Sequence, residues 1–216
     1  MFIGHFALGF AAKRAAPRLS LATLFAAAQF ADLLWPFLLA AGVEQVRIVP
    51  GITAFTPLDF ISYPYSHSLL ALVIWGVLFG GICAVIVRDR RVMLVVAALV
   101  VSHWVLDWIT HRPDMPLYPG SVKVGLGLWS SVPATVAVET VMFVAGVWMY
   151  ARATRARDVI GRRAFAGFVG LMFATYAVSM GPPPPSITAL VIAAIAGAAV
   201  IILWAWWFDR HRAPIA

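Results

Sequence analysis

The sequence predicts an all-α fold: a polytopic membrane helical bundle of about six full spans plus a short N-terminal half-helix. Three observations predict it. Hydrophobic residues make up 62% of the 216 residues and charged residues only 12%, against about 45–50% and about 25% in soluble domains. The apolar residues gather in runs near the length a bilayer requires, about 20 residues. The basic residues lie at the ends of those runs and between them. A water-soluble globule and a disordered chain are both excluded. The lone Cys83 rules out an intrachain disulfide.

Taken in order, residues 1–12 are apolar but long enough only to reach partway across a bilayer. No basic stretch precedes them and Lys13-Arg14 follow, so they do not read as a signal peptide. The full spans are expected at 19–41, 68–87, 92–110, 133–151, 164–180 and 187–208. The run 68–87 carries no charge at all. The connection 42–66 is long and rich in Pro and aromatics, which suits a functional loop and is too apolar for disorder. Prolines 182–185 form a rigid turn that stops one helix before the next begins. Trp204, Trp206 and Trp207, ahead of Asp209 and His211, read as the aromatic belt of a membrane interface. The whole of 1–216 reads as one integral membrane domain, with 1–145 as the metal-site core and 146–216 as additional spans.

Lys and Arg number 16 against 9 Asp and Glu. Thirteen of the 16 fall on one side of the spans: Lys13, Arg14 and Arg18; Arg88, Arg90 and Arg91; Arg152, Arg155, Arg157, Arg162 and Arg163; Arg210 and Arg212. Only Arg47, Arg112 and Lys123 fall on the other. The positive-inside rule then gives a multi-pass protein of the inner (cytoplasmic) membrane with a cytoplasmic C-terminus. Positive charge confined to short turns beside apolar spans is a topology signal. A nucleic-acid surface would gather it on one folded face with stacking aromatics, so no nucleic acid is expected as a partner.

Ionisable residues inside spans are costly and therefore point to function. Asp32, His103, Asp107 and Glu139 lie inside predicted spans, His5 in the half-helix, and His67 and His111 at span ends. Counting about 1.5 Å per residue from the basic ends puts Asp32, His103 and Glu139 roughly 18–20 Å up, just past the midplane. His103, Asp107 and His111 are spaced by four and share one helix face. Imidazole and carboxylate on one face suit Zn²⁺ or a similar divalent ion; an internal hydrogen-bonded pair that tightens helix packing is the plainer alternative. His67 reads either as a ligand or as the cap of a helix beginning at Ser66. Asp59 and Asp114 are secondary candidates, and Glu44 and Asp158 read as structural.

Gly4-His5, Asp32 followed by Pro36, Tyr65-Ser66-His67-Ser68-Leu69-Leu70 and Ser102-His103 through Asp107 together resemble the YdjM-like inner-membrane proteins. That family is regarded as metal-dependent hydrolases and is sometimes described as LexA-regulated. The resemblance covers about residues 1–145. It also suggests a distant similarity to zinc-dependent phospholipase C, whose zinc ions are held by His, Asp and Glu from several helices. The resemblance implies a metal set of His5, Asp32, His67, His103, Asp107, His111 and Glu139. Because the soluble enzymes also use an N-terminal amine and this chain starts at Met1, one or two ions, zinc first, are expected.

The resulting expectation is a membrane-embedded metal-dependent hydrolase with Glu139, Asp107 and His111 in the catalytic roles. Its substrate would be a phosphoester of a lipid or lipid-linked molecule, met from the outer-facing side. A rival reading is a proton- or cation-coupled transporter using Asp32, Asp107 and Glu139. A third is a scaffold in which these groups merely pair across helices. Nothing in the sequence sets the oligomeric state.

Overall fold

The computed structural model describes residues 1–215; residue 216, the last of the predicted domain, lies outside the described residues. Nine α-helices carry the fold: α1 (Ile3–Ala12), α2 (Leu21–Ala28), α3 (Phe30–Ala40), α4 (Pro64–His67), α5 (Leu69–Val87), α6 (Arg90–Thr110), α7 (Val132–Ala153), α8 (Val159–Ser179) and α9 (Ile187–Arg210). Their starts are written locally. Ser20, Ser68, Asp89, Ser131, Asp158 and Ser186 each sit at an N-cap and accept a backbone N–H from the first turn, satisfying a donor that the helix cannot.

Four helices are long and apolar enough to cross a membrane: α5, α6, α7 and α9. The expected span 19–41 is not one helix. It breaks at Gln29, whose φ of −106° and ψ of 15° are not helical, into α2 and α3 bent by 61°. Counting that pair as one broken span gives five at most, so the expectation of six is not met. The helix expected at 164–180 does form, as α8, but it begins at Val159 and takes Arg162 and Arg163 into its first turns. Those charges and its glycines keep it out of the qualifying set.

The all-α expectation also needs amending in the loops. The connection 42–66 contains an antiparallel hairpin, β1 (Gln45–Ile48) with β2 (Leu58–Ser62), in which Arg47 faces Asp59. Two shorter pairs follow, β3 (Met115–Pro116) with β4 (Lys123–Val124), and β5 (Thr154–Ala156) with β6 (Arg212–Pro214). Pairing satisfies backbone groups that would otherwise be stranded near the hydrocarbon.

Close helix packing is set by glycine. A Cβ at Gly80 would lie 2.6 Å from the Met93 carbonyl oxygen, and one at Gly76 would lie 3.1 Å from that of Ala97. This small-xxx-small face lets α5 and α6 pack backbone to backbone. Arg88, in the left-handed region at φ 57°, closes the turn between them. The short α1, about 15 Å long, is buried along most of its length and runs inside the bundle. Gly146 of α7 admits it, since a Cβ there would meet the Ala7 carbonyl oxygen at 2.5 Å. Aromatics fill the space around its far end, with Phe10 and Phe25 edge to face at 4.8 Å.

The basic turns do gather at one end of the bundle, where Arg18 meets Asp89 at 3.6 Å and β5 pairs with β6. Two of those basic residues are not solvated topology charges, however. Lys13 is buried and donates to Asp209 Oδ2 at 2.7 Å, and Arg212 is buried against Thr154 and the Gly161 carbonyl. Trp206 and Trp207 face outward as a belt would, but Trp204 turns inward and donates to the Ala164 carbonyl at 3.1 Å. His211 pairs with Asp158 at 2.7 Å.

Candidate metal centre

At the other end of the bundle the last two turns of α6 meet α1, α3 and α4. Spacing of four on α6 works as the sequence suggests. His103 Nε2 lies 3.1 Å and His111 Nε2 3.9 Å from the same atom, Asp107 Oδ2. The break at Gln29 puts Asp32 in the first turn of α3, where the helix dipole favours a carboxylate. Asp32 Oδ1 is 3.4 Å from His67 Nε2, and Asp32 Oδ2 is 3.8 Å from His103 Nε2. His67 ends α4 and stands 3.9 Å from Asp107 Oδ2. It does not cap a helix starting at Ser66, because α5 begins at Leu69 and Ser68 caps it. From α1, His5 Nε2 reaches Asp107 Oδ1 at 3.1 Å, and its ring stacks on His103 with centroids 3.8 Å apart. The Met1 α-amino nitrogen donates to the same oxygen at 2.5 Å and to Thr110 Oγ1 at 3.2 Å. All of these groups are buried except the Asp32 side chain, which is 40% exposed.

Three of the histidines are held from behind. His67 Nδ1 donates to Ser66 Oγ at 2.7 Å, and Ser66 Oγ donates onward to Glu44 Oε2 at 2.6 Å. His103 Nδ1 donates to the Ala28 carbonyl at 2.8 Å. His111 Nδ1 donates to Asp114 Oδ1 at 2.9 Å. Each outer bond fixes the tautomer with its proton on Nδ1 and turns an Nε2 lone pair toward the two aspartates. Arg112 clamps Asp114 and Asp59, and Arg47 also pairs with Asp59, so the His111 holder is itself held. Tyr63 donates to Asp114 Oδ1 at 3.1 Å. Burial first, then Asp114 and Asp107, push its phenol well above its usual pKa, and it stays a neutral donor.

These residues fit a divalent ion. Two triads, His5–His103–Asp107 and Asp32–His67–His103, each bring three ligand atoms within 4.8 Å of one another. Tetrahedral ligands at Zn-like bond lengths lie about 3.4 Å apart, and the His–Asp separations here run from 3.1 to 3.9 Å. His103 Nε2 is buried and near Asp107 but not in hydrogen-bonding geometry, and His5 Nδ1 is buried without a partner. Such stranded nitrogens are costly unless something binds them. The triads share His103, whose Nδ1 is committed to Ala28, so its single free nitrogen serves one ion at a time.

Glu139 is not brought into either triad. Its Oε2 accepts the Phe2 and Gly4 amides at 2.7 and 3.2 Å and so anchors the start of α1. His111 flanks the triads and belongs to neither. Glu44, read from the sequence as structural, proves to hold His67 through Ser66 and also accepts the Tyr65 and Ser66 amides. No spacing in the sequence ties it to His67; the β1–β2 hairpin does that. The cluster opens on a cavity of about 780 Å³, lined at its polar side by Asp32, His67, Asp107 and His111.

Comparison with known families matches residues 1–181 to the YdjM inner membrane protein family. The chain belongs to that family. The match carries the resemblance past residue 145, through α7 and α8, and takes in every residue of the cluster. A YdjM-family member with these apolar helices is a multi-pass inner-membrane protein. No curated protein and no solved structure matches the chain, and the expected similarity to zinc-dependent phospholipase C is not shown.

Proposed function

We propose that the protein is a membrane-embedded metal-dependent hydrolase acting on a phosphoester of a lipid or lipid-linked substrate, with its basic end and C-terminus in the cytoplasm. The observation that carries this reading is the convergence of three Nδ1-anchored histidines on Asp32 and Asp107. His103 and Asp107 would hold a divalent ion, zinc by the His and Asp donor set, together with His67 and Asp32 or with His5. A bound ion would supply Lewis acidity and lower the pKa of a coordinated water. With the ion on His5, His103 and Asp107, Asp32, the exposed carboxylate facing the cavity, would be free to accept a proton from water. Asp114 and Ser66 keep His111 and His67 oriented, and Glu139 keeps α1, and with it His5, in position.

Elemental analysis of the protein purified in detergent, paired with hydrolysis of phospholipid in the same sample, tests the reading. A divalent ion near one per chain together with product release supports it. No ion, combined with pH-driven flux in liposomes, would favour the transporter instead. The outer partners give a finer prediction. Glu44→Ala strips three bonds from the His67 support and is expected to weaken ion affinity by about 10–100-fold. A chelator competition titration reads this, and an unchanged affinity would count against His67 as a ligand.

A further inference from the structure

The cavity beside the cluster is two-faced. Its polar side carries Asp32, His67, Asp107 and His111, while the rest of its wall is apolar. Much of that wall is the loop-end half of α9, along a face of small residues that includes Ala193, Ala194 and Gly197. The buried residues of α9 are Ile201, Ala205, Phe208 and Asp209, all in its basic-end half. The loop-end half has no fully buried residue: Ile187 and Leu190 pack against the core on one side, and Ala193 and Gly197 stay exposed. A Cβ built at Gly197 meets no atom within 4 Å. Gln29, Trp35 and Trp129 also belong to the lining; each is more than nine-tenths buried, and Gln29 Oε1, Trp35 Nε1 and Trp129 Nε1 have no partner. An occupant that matches both walls is apolar along most of its length and polar at one end.

We infer that this cavity holds one hydrocarbon chain of a membrane lipid, with the polar linkage of that lipid against the Asp32–His67–Asp107–His111 side. The loop-end half of α9 is the wall that selects the chain. The inference rests on the hydrolase reading for what happens to the linkage, but chain binding stands or falls separately. Its volume, about 780 Å³, is in the range of sites that enclose a small ligand. Since α9 follows the matched segment 1–181, chain selection is placed on a part of this protein outside the family match.

The test uses the full chain in nanodiscs of phosphatidylethanolamine and phosphatidylglycerol, with a trace of phosphatidylglycerol carrying a diazirine midway along one chain. After irradiation, cross-links are mapped by peptide mass spectrometry. Cross-links on Leu33, Leu58 and Leu190 are expected, beside background cross-links on the outward-facing Ile192 and Leu203. Gly197→Phe fills the slot, and because a displaced chain returns to bilayer hydrocarbon, occupancy is lost through excluded space and lost packing contacts. Cavity cross-links should fall accordingly while Ile192 and Leu203 cross-links and bound metal stay unchanged. Ala193→Phe should act in the same way, and Ile192→Phe, on the outward face, should not. Cross-links confined to Ile192 and Leu203, or cavity cross-links that survive both fillings, would overturn the inference. Cavity cross-linking in a protein that holds no ion would support chain binding and remove only the hydrolase reading.

Discussion

Replacing Asp107 with alanine is expected to abolish divalent-ion binding while leaving the bundle folded. No other side chain in the cluster meets so many partners. Its Oδ1 takes the Met1 amine and His5, and its Oδ2 faces His67, His103 and His111. Loss of an outer partner weakens metal sites by about 10–100-fold, and loss of a ligand that also organises its neighbours should exceed that. Metal content per chain, measured after size-exclusion chromatography, checks the first half of the expectation, and an unchanged elution profile checks the second. His103→Ala should have the same effect, because each triad depends on its free Nε2. His111→Ala should weaken binding less, since His111 stands outside both triads. Stoichiometric ion retained in both Asp107→Ala and His103→Ala would rule out the assignment.

The sequence makes that centre partly legible. A charged group inside an apolar span has few harmless explanations, and a spacing of four can only place His103, Asp107 and His111 on one face. Depth brings Asp32 to the level of His103, the family resemblance adds His67, and the folded chain brings both within 4 Å of His103 or Asp107. The rest was hidden for identifiable reasons. The break at Gln29 has no marker at its own position, because Pro36, the residue that looks disruptive, lies inside α3. Glu139 has the right depth, but its Oε2 takes the amides of Phe2 and Gly4, a demand set by the buried start of α1, and it joins neither triad. Glu44 and Asp114 act through a hairpin and a turn whose registers no helical period reveals. A positive-inside count sees charge and not burial, so Lys13 and Arg212 were indistinguishable from their solvated neighbours.

Asp209→Ala is expected to produce the largest loss of stability among substitutions remote from the metal centre. Asp209 Oδ2 accepts from Lys13 Nζ at 2.7 Å and from the Leu21 amide at 2.9 Å, and Oδ1 accepts from Tyr150 at 2.7 Å. The side chains of Lys13 and Asp209 are only 6% and 7% exposed. Removing the carboxylate strands a buried ammonium, a phenol and a helix-start amide, and breaking a buried ion pair from one side costs about 3–5 kcal/mol. Thermal unfolding in detergent should show a large downward shift, and Lys13→Ala a smaller one, because it leaves the Tyr150 and Leu21 bonds to Asp209 in place. Replacing both partners with apolar residues, Lys13→Met with Asp209→Leu, should recover part of the loss, since a well-packed apolar pair can match a buried ion pair. A double-mutant cycle measures that coupling, and strictly additive effects would show the pair to be energetically idle. The result would bear on the metal centre as well. One end of α1 is tied to Glu139 and Asp107, the other to Asp209 through Lys13, and His5 rides between them. A bundle that loosens at the basic end should therefore release the His5 side of the site before the Asp32–His67 side, which α3 and α4 hold independently of α1.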